Sequence, residues 1–333
     1  MNVGLPAKTH GSYQEHSKTT EFGSEYDIIK VSRHGRFVSM ERFLDPRNDW
    51  MFKKTFGSMP NNDILIDFLN AVFKGERAPI ESITFLPTHQ DPEIASLRQT
   101  FVDVRCMDVN KNQFIVEMQH YGDSFFMQRA CVYASRAYIE QVKVSGPGED
   151  QNEKKRSVYS DVKPIIFLAI LDSFSAIEGD DYVSHNAFLD KKTFKCNIKE
   201  FSFSFIRLDK FHKSFGESQS VLDKWCYFFK NAQTTKAEDI AKMKDLYPLV
   251  NKAYDVLKRS NYTEEEYQAY CHAEMSADAY ESCINSAREE GNVEGKKEGI
   301  KETARSMLAE GMSPEAVSRY TKLPIEEVLS ILE

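Results

Sequence analysis

The sequence predicts an α/β fold with a helical C-terminal region. Three observations carry this. Short alternating segments at 100–109 and 113–121 flank a polar turn and lead into a helix at 124–143. An almost unbroken apolar run, Ile165 to Leu171, follows Pro164 and suits a central strand covered on both faces. Beyond residue 209 the pattern is helical nearly to the end.

In order, residues 1–40 are polar and without period, and are expected to form a flexible arm. Helical order begins in RFLDPRNDWMFKKTFG (42–57), where Asn48 or Asp49 can cap a short helix. In PNNDILIDFLNAVFKG, Ile64, Leu65, Phe68, Leu69, Val72 and Phe73 form an apolar helical stripe. Glu81 to Pro87 reads as a first strand. In the next strand Val102, Val104 and Cys106 are expected on one face and Asp103, Arg105 and Met107 on the other. Its partner puts Phe114, Val116 and Met118 against Ile115, Glu117 and Gln119. A turn near Asn110 pairs positions summing to about 220, which brings Asp103 opposite or diagonal to Glu117. On the following helix Arg129, Tyr133, Arg136 and Glu140 line one polar stripe. Further strands are expected at 182–185 and 200–208, and helices at 209–231, 236–258 and 264–289.

The tail repeats glycine at 291, 295 and 299, then ends in two short helices opened by Ser313-Pro314 and Leu323-Pro324. Those two helices have a helix-turn-helix outline, but an acidic one, equally suited to packing or oligomerisation. The expected segments are therefore the arm (1–40), a core domain (41–235), a helical region (236–290) and the glycine-repeat helix with its tail (291–333).

Composition narrows the function classes. Of 333 residues 41% are hydrophobic and 28% charged, which excludes a disordered chain. The longest apolar run is far short of a membrane span, and the N-terminus has no apolar secretory core, so no membrane partner and a cytoplasmic location are expected. Six scattered cysteines without a CxxC pair read as free thiols, not as a disulfide frame or zinc site. The net charge of −8 is unevenly spread. Residues 1–236 are balanced, the deficit lies in 237–333, and 187–236 carry ten basic against five acidic residues.

Hydrolysing a phosphodiester needs an activated water and neutralisation of charge on the leaving oxygen, which divalent metals supply. Mg²⁺ needs only one or two carboxylates and a carbonyl, because it keeps several waters. Asp103 and Glu117 are the candidate carboxylates and the Met118 carbonyl the third metal ligand. Gln119 can orient the water, and Asp49 is a further acidic contributor. Arg129 and Tyr133, with Arg105 and Lys53, are candidate DNA contacts. Residue spacing alone leaves open two solvent-facing carboxylates on an ordinary strand. A glycosidase pair finds no other support.

DPRNDWMFKKTFG, DILIDFLNAVF, FVDVRCMDVNKNQFIVEMQ, RACVYASRAYIEQV, PIIFLAIL, FSFSFIRLDKF, EGNVEGKKEG and GMSPEAVSRYTKLPIEEV occur in this order. As an ordered set they resemble the recombination-promoting nuclease/transposase family, a branch of the PD-(D/E)XK nuclease superfamily. The resemblance covers about Asp45 to the C-terminus. It implies a restriction-endonuclease-like core, with a mixed central sheet between helices. It also implies an Asp … Glu-x-Gln site at Asp103, Glu117 and Gln119, with Asp49 at the early acidic position. Mg²⁺-dependent DNA endonuclease activity, with Mn²⁺ able to substitute, and a link to recombination and horizontal gene transfer follow from it as expectations. Gln119 stands where the superfamily usually has lysine, so no cation comes from that position. SGPGEDQNEKKRSVYS (145–160) stands where a Gly-x-x-Tyr segment is common. The alternative to an endonuclease is a weak or inactive DNA-binding or regulatory module on the same fold. A homodimer through the C-terminal region is expected in either case.

Overall fold

The computed structural model describes residues 29–31, 37–39, 43–90, 100–120, 125–142, 159–173 and 177–331. The chain divides into two units, 1–42 and 43–333. In the first, strands β1 (Ile29–Val31) and β2 (Phe37–Ser39) pair antiparallel. The rest of the expected arm, and all but the last two residues of the 145–160 loop, lie outside the described residues.

The second unit begins with α1 (Asp49–Phe56) and α2 (Asn62–Val72). The cap of α1 is Asn48, whose side chain accepts from the Trp50 and Met51 amides. Strands β3 (Ile83–Phe85), β4 (His89–Gln90), β5 (Thr100–Phe101), β6 (Val104–Asp108) and β7 (Gln113–Gln119) follow, then α3 (Phe126–Ile139) and β8 (Ile165–Leu171). Next are β9 (Val183–Phe188), β10 (Ile198–Arg207), α4 (Val221–Asn231), α5 (Ala237–Leu246) and α6 (Pro248–Leu257). The chain ends in α7 (Glu264–Ala309), α8 (Pro314–Thr321) and α9 (Ile325–Leu329).

The central sheet has the order β3-β6-β7-β8-β10-β9. β8 runs parallel to both β7 and β10, and the outer pairings are antiparallel, so the sheet is mixed. Alternating side chains of β7 and β8 divide the core in two. Phe114, Val116, Met118, Ile166, Leu168 and Ile170 face α1, α2, α4 and α6. Ile115, Phe167, Ala169 and Leu171 face α3, which meets them with Phe126, Ala130, Ala134 and Ala137. The alanines let α3 sit close to the sheet. On the other side Phe52, Phe56, Phe68, Trp225, Phe228 and Phe229 interlock edge-to-face and tilted.

The expected hairpin register holds, since Val104 pairs with Val116 and Arg105 with Ile115. The strand before it departs from simple alternation. It breaks between β5 and β6, so Val102 packs on the α3 side while Val104 and Cys106 pack on the other. Asp103 sits in that break. The helix expected at 264–289 is also longer than its sequence signals. α7 runs 46 residues through Gly291, Gly295 and Gly299, crossing the expected boundary at 290/291. α8 and α9 fold back on its end through Ala304, Val317, Leu323 and Val328.

Asp223 ties the second half of the sheet to α4. It accepts from Tyr182 Oη and Lys213 Nζ at 2.7 Å each and closes a capping box with Ser220. Despite burial, these partners pull its carboxyl down to about 2. Asp223→Ala leaves several donors unpaired at once. It is expected to lower unfolding stability by about 2–4 kcal/mol, read from urea titration.

Candidate active site

Asp103 and Glu117 meet as the register requires, and each is held by the other's strand. The Asp103 amide donates to Glu117 Oε1 at 3.1 Å, and the Met118 amide donates to Asp103 Oδ2 at 2.9 Å. These crossed bonds fix two carboxylates side by side in the sheet. Glu117 is 4% exposed. Burial drives both carboxyls upward, Asp103 to about 6 and Glu117 well above the usual carboxylate range, where the neighbouring Asp103 charge adds to the effect. The pair thus lacks a full countercharge, the condition a divalent cation relieves.

Gln119 completes the strand end. Its Nε2 donates to the Met118 carbonyl at 3.1 Å and to Glu117 Oε2 at 3.3 Å, while its Oε1 accepts from Arg129 Nη2 at 2.6 Å. α3 therefore brings a guanidinium up to the neutral glutamine. From the opposite side α1 brings Lys53, whose Nζ lies 2.7 Å from Asp49 Oδ1 and 3.4 Å from Asp103 Oδ1. Burial opposes its charge, but the two aspartates outweigh that and hold its pKa raised. Asp49 is 60% exposed at the site's mouth and reaches Asp103 on the same side as Lys53. Tyr133 is half-buried on α3, its hydroxyl pushed up by burial and then by the Glu117 charge.

Arg105 is placed elsewhere. It is buried, with Nη1 on Glu140 at 2.6 Å and Nε and Nη2 on Gln113. Its charge is spent inside the fold, so a phosphate contact from Arg105 does not fit. Its place on an alternating strand near the hairpin turn suggests a surface residue. The pairing with Glu140 across 35 residues has no local signal.

Two contributions had no sequence signal. At the exit of β7, His120 donates from Nε2 to the Arg47 carbonyl at 2.6 Å, and Arg47 pairs with both Asp45 and Asp172 at 2.7 Å. This network pins the start of α1 to the ends of β7 and β8. Second, α7 walls the site. A 460 Å³ pocket is lined by Asp49, Gln119, His120, Arg129, Ala273, Ser276, Ala277 and Tyr280.

Among the described residues no three acidic, histidine or cysteine side chains converge as a metal cluster. Two carboxylates beside a main-chain carbonyl would suit an oxygen-seeking ion that keeps its waters.

Residues 46–287 match the PD-(D/E)XK nuclease family transposase model. The chain belongs to this family. The match takes in every element from α1 to the first half of α7, including both carboxylates and the strand ending at Gln119. Neither a curated protein nor a solved structure shows detectable similarity to the chain. Among the described residues no helix is long and apolar enough to cross a membrane.

Proposed function

We propose that this protein is a divalent-metal-dependent DNA endonuclease that hydrolyses phosphodiester bonds at the Asp103–Glu117 pair. The crossed hydrogen bonds that hold two undercompensated, buried carboxylates together are the observation that supports this reading. Asp103, Glu117 and the Met118 carbonyl would hold the ion, Mg²⁺ or in its place Mn²⁺. When bound, the ion neutralises charge on the scissile phosphate and makes a water nucleophilic near neutral pH.

The remaining work falls to the chain's own side chains. The Gln119 amide, already placed between Glu117 and Arg129, orients the attacking water. Arg129 and Lys53 supply the positive charge that a lysine at position 119 would have given. Tyr133 lies beside them on the α3 side, and Asp49 holds Lys53 in place. The deciding measurement is nicking of supercoiled plasmid with Mg²⁺ or Mn²⁺, beside Asp103→Ala and Glu117→Ala. No metal-dependent nicking by the wild type, or equal nicking by both variants, overturns the proposal.

Lys53→Met is expected to slow single-turnover cleavage at least about tenfold, because it removes charge stabilisation close to the reacting phosphate. Lys53→Arg should recover part of the rate. Wild-type rates in both variants would show that Lys53 takes no part.

The family match stops at residue 287, while α7 continues for several more turns with nearly every side chain exposed. A homodimer through this C-terminal region gives one site per strand of a duplex. A chain ending at Ala287 is expected to run as a monomer in light scattering. An oligomeric state identical to that of the full chain removes the tail from the assembly.

A further inference from the structure

The β9–β10 hairpin ends in Leu189-Asp190-Lys191-Lys192-Thr193-Phe194-Lys195-Cys196-Asn197, a turn that carries no part of the site described above. It is firmly built. Asp190 Oδ1 accepts from the Lys192 amide, the Thr193 amide and the Thr193 hydroxyl at 2.7–3.0 Å. The Asp190 amide donates to the Lys195 carbonyl, and the Phe194 amide to the Asp190 carbonyl. Inside this frame Phe194 stands at φ 55, a left-handed conformation unusual for a bulky side chain. Phe194 is 75% exposed. Lys191, Lys192 and Lys195 lie in the same turn and Lys199 follows at the start of β10, all exposed, and among the described residues none of the four makes an ion pair. The single acid of the turn, Asp190, is engaged with backbone amides.

The frame thus presents an exposed ring amid four lysines without ion pairs among the described residues, with Asp190 as the one negative charge of the turn. An exposed aromatic contributes nothing to the core, and like charges around it repel. That arrangement becomes favourable against a polyanion with apolar groups between its charges, such as the thymine methyls in the major groove of duplex DNA. We propose that the tip of the β9–β10 hairpin is a second contact for duplex DNA, with Phe194 seated against base edges and the four lysines on phosphates. The proposal rests on DNA being the substrate of the site above. A membrane surface is the competing polyanion. It fits less well, because a membrane-inserting tip carries apolar side chains at its apex, and here the apex is Lys-Lys-Thr-Phe-Lys.

The place of the tip in the sheet gives the contact its purpose. Glu117 pairs through Ala169 with Phe205, near one end of β10, whereas the turn joins β10 at Ile198. β10 bulges between Ile198 and Ser202, so only four residues of β9, from Ser184 to Phe188, separate that row from the base of the turn, which lies about 15 Å from the carboxylates, roughly five base pairs along a duplex. Grip at that distance fixes the register of the duplex while the carboxylates act on one bond.

The test is fluorescence anisotropy of a labelled duplex of about 30 base pairs with the full chain in EDTA, across about 50 to 300 mM salt. The variants are Phe194→Gly and the combined Lys191→Gln, Lys192→Gln, Lys195→Gln and Lys199→Gln. Loss of four phosphate contacts is expected to flatten the dependence of log affinity on log salt by about 3.6. Phe194→Gly is expected to weaken binding about fivefold with the salt dependence unchanged. Glycine accepts the left-handed backbone, so its unfolding midpoint should not fall, and a folding defect is excluded by that reading. Unchanged affinity and salt dependence in both variants overturns the proposal. So does tighter binding to anionic phospholipid vesicles than to duplex. Plasmid nicking is scored separately. Nicking absent with the tip effects present sinks only the catalytic reading, and nicking present with the tip effects absent sinks only the hairpin contact.

Discussion

Glu117→Gln is expected to abolish metal-dependent nicking, by at least about 100-fold, while making the metal-free protein more stable. The two effects have one cause. Glu117 is nearly fully buried beside Asp103, and burial followed by the Asp103 charge pushes its carboxyl well up. A charge held there costs stability, since removal from water is not repaid by a close cation. Glutamine keeps the shape and can still accept the Asp103 amide through its oxygen, the bond now made by Oε1 at 3.1 Å. The expected gain is about 1–2 kcal/mol in urea unfolding at neutral pH. The same exchange removes one of two anionic ligands, so the cation loses its hold. Asp103→Asn should behave alike, because Asn can still accept from the Met118 amide. A residue that only scaffolds the sheet gives the opposite pattern, with stability and activity falling together. That joint fall would remove Glu117 from the catalytic centre.

The carboxylate pair was legible in the sequence because a hairpin is a local device. Once the turn at Asn110 is fixed, period-two alternation places residue 103 near residue 117 without knowledge of anything else. The two-sided core was legible for the same reason, through the unbroken run in β8. What was not legible came from residues far apart in the chain. Lys53 reaches Asp103 only because α1 packs under β7, and Arg47 reaches Asp172 across 125 residues. Arg105 was misplaced because its partner Glu140 lies on the next helix. The length of α7 was hidden by three glycines, each costing a helix about 1 kcal/mol. The helix persists because α8 and α9 anchor its far end through Ala304. The break at Asp103 also had no signal. It depends on the Val102 amide bonding to the Thr88 carbonyl, outside the β6–β7 hairpin.

Stability of the metal-free protein is expected to fall as pH rises from about 4 to about 6, and Mg²⁺ is expected to reverse that fall. Asp103 has its carboxyl raised by burial to about 6, above the ordinary value. The native state therefore keeps a proton that the unfolded chain has already lost. Where the native state binds more protons, stability declines with rising pH, here across the interval between the folded and unfolded pKa values. The Asp103 share amounts to about 3 kcal/mol, since each pH unit of that interval costs about 1.4 kcal/mol, and Glu117, raised well above the usual range, extends the decline to higher pH. Asp223 has the opposite sign but acts lower, between about 2 and the ordinary carboxylate range, so it does not mask the effect. His120, raised by Asp172 and the Arg47 carbonyl against the effect of burial, adds a decline of the same sign above its ordinary value. It is separated from the pair by repeating the titration on the combined Asp103→Asn and Glu117→Gln variant. Mg²⁺ binds the ionised pair, so it must displace any proton there. At about one hundred times its dissociation constant it adds about 2.7 kcal/mol. Thermal unfolding with and without Mg²⁺ should thus show a larger shift at about pH 7.5 than at about pH 5, and none in Asp103→Asn or Glu117→Gln. A shift of equal size at both pH values, or one that survives both substitutions, would place the cation elsewhere on the protein and leave the carboxylate pair as a merely structural strain in the sheet.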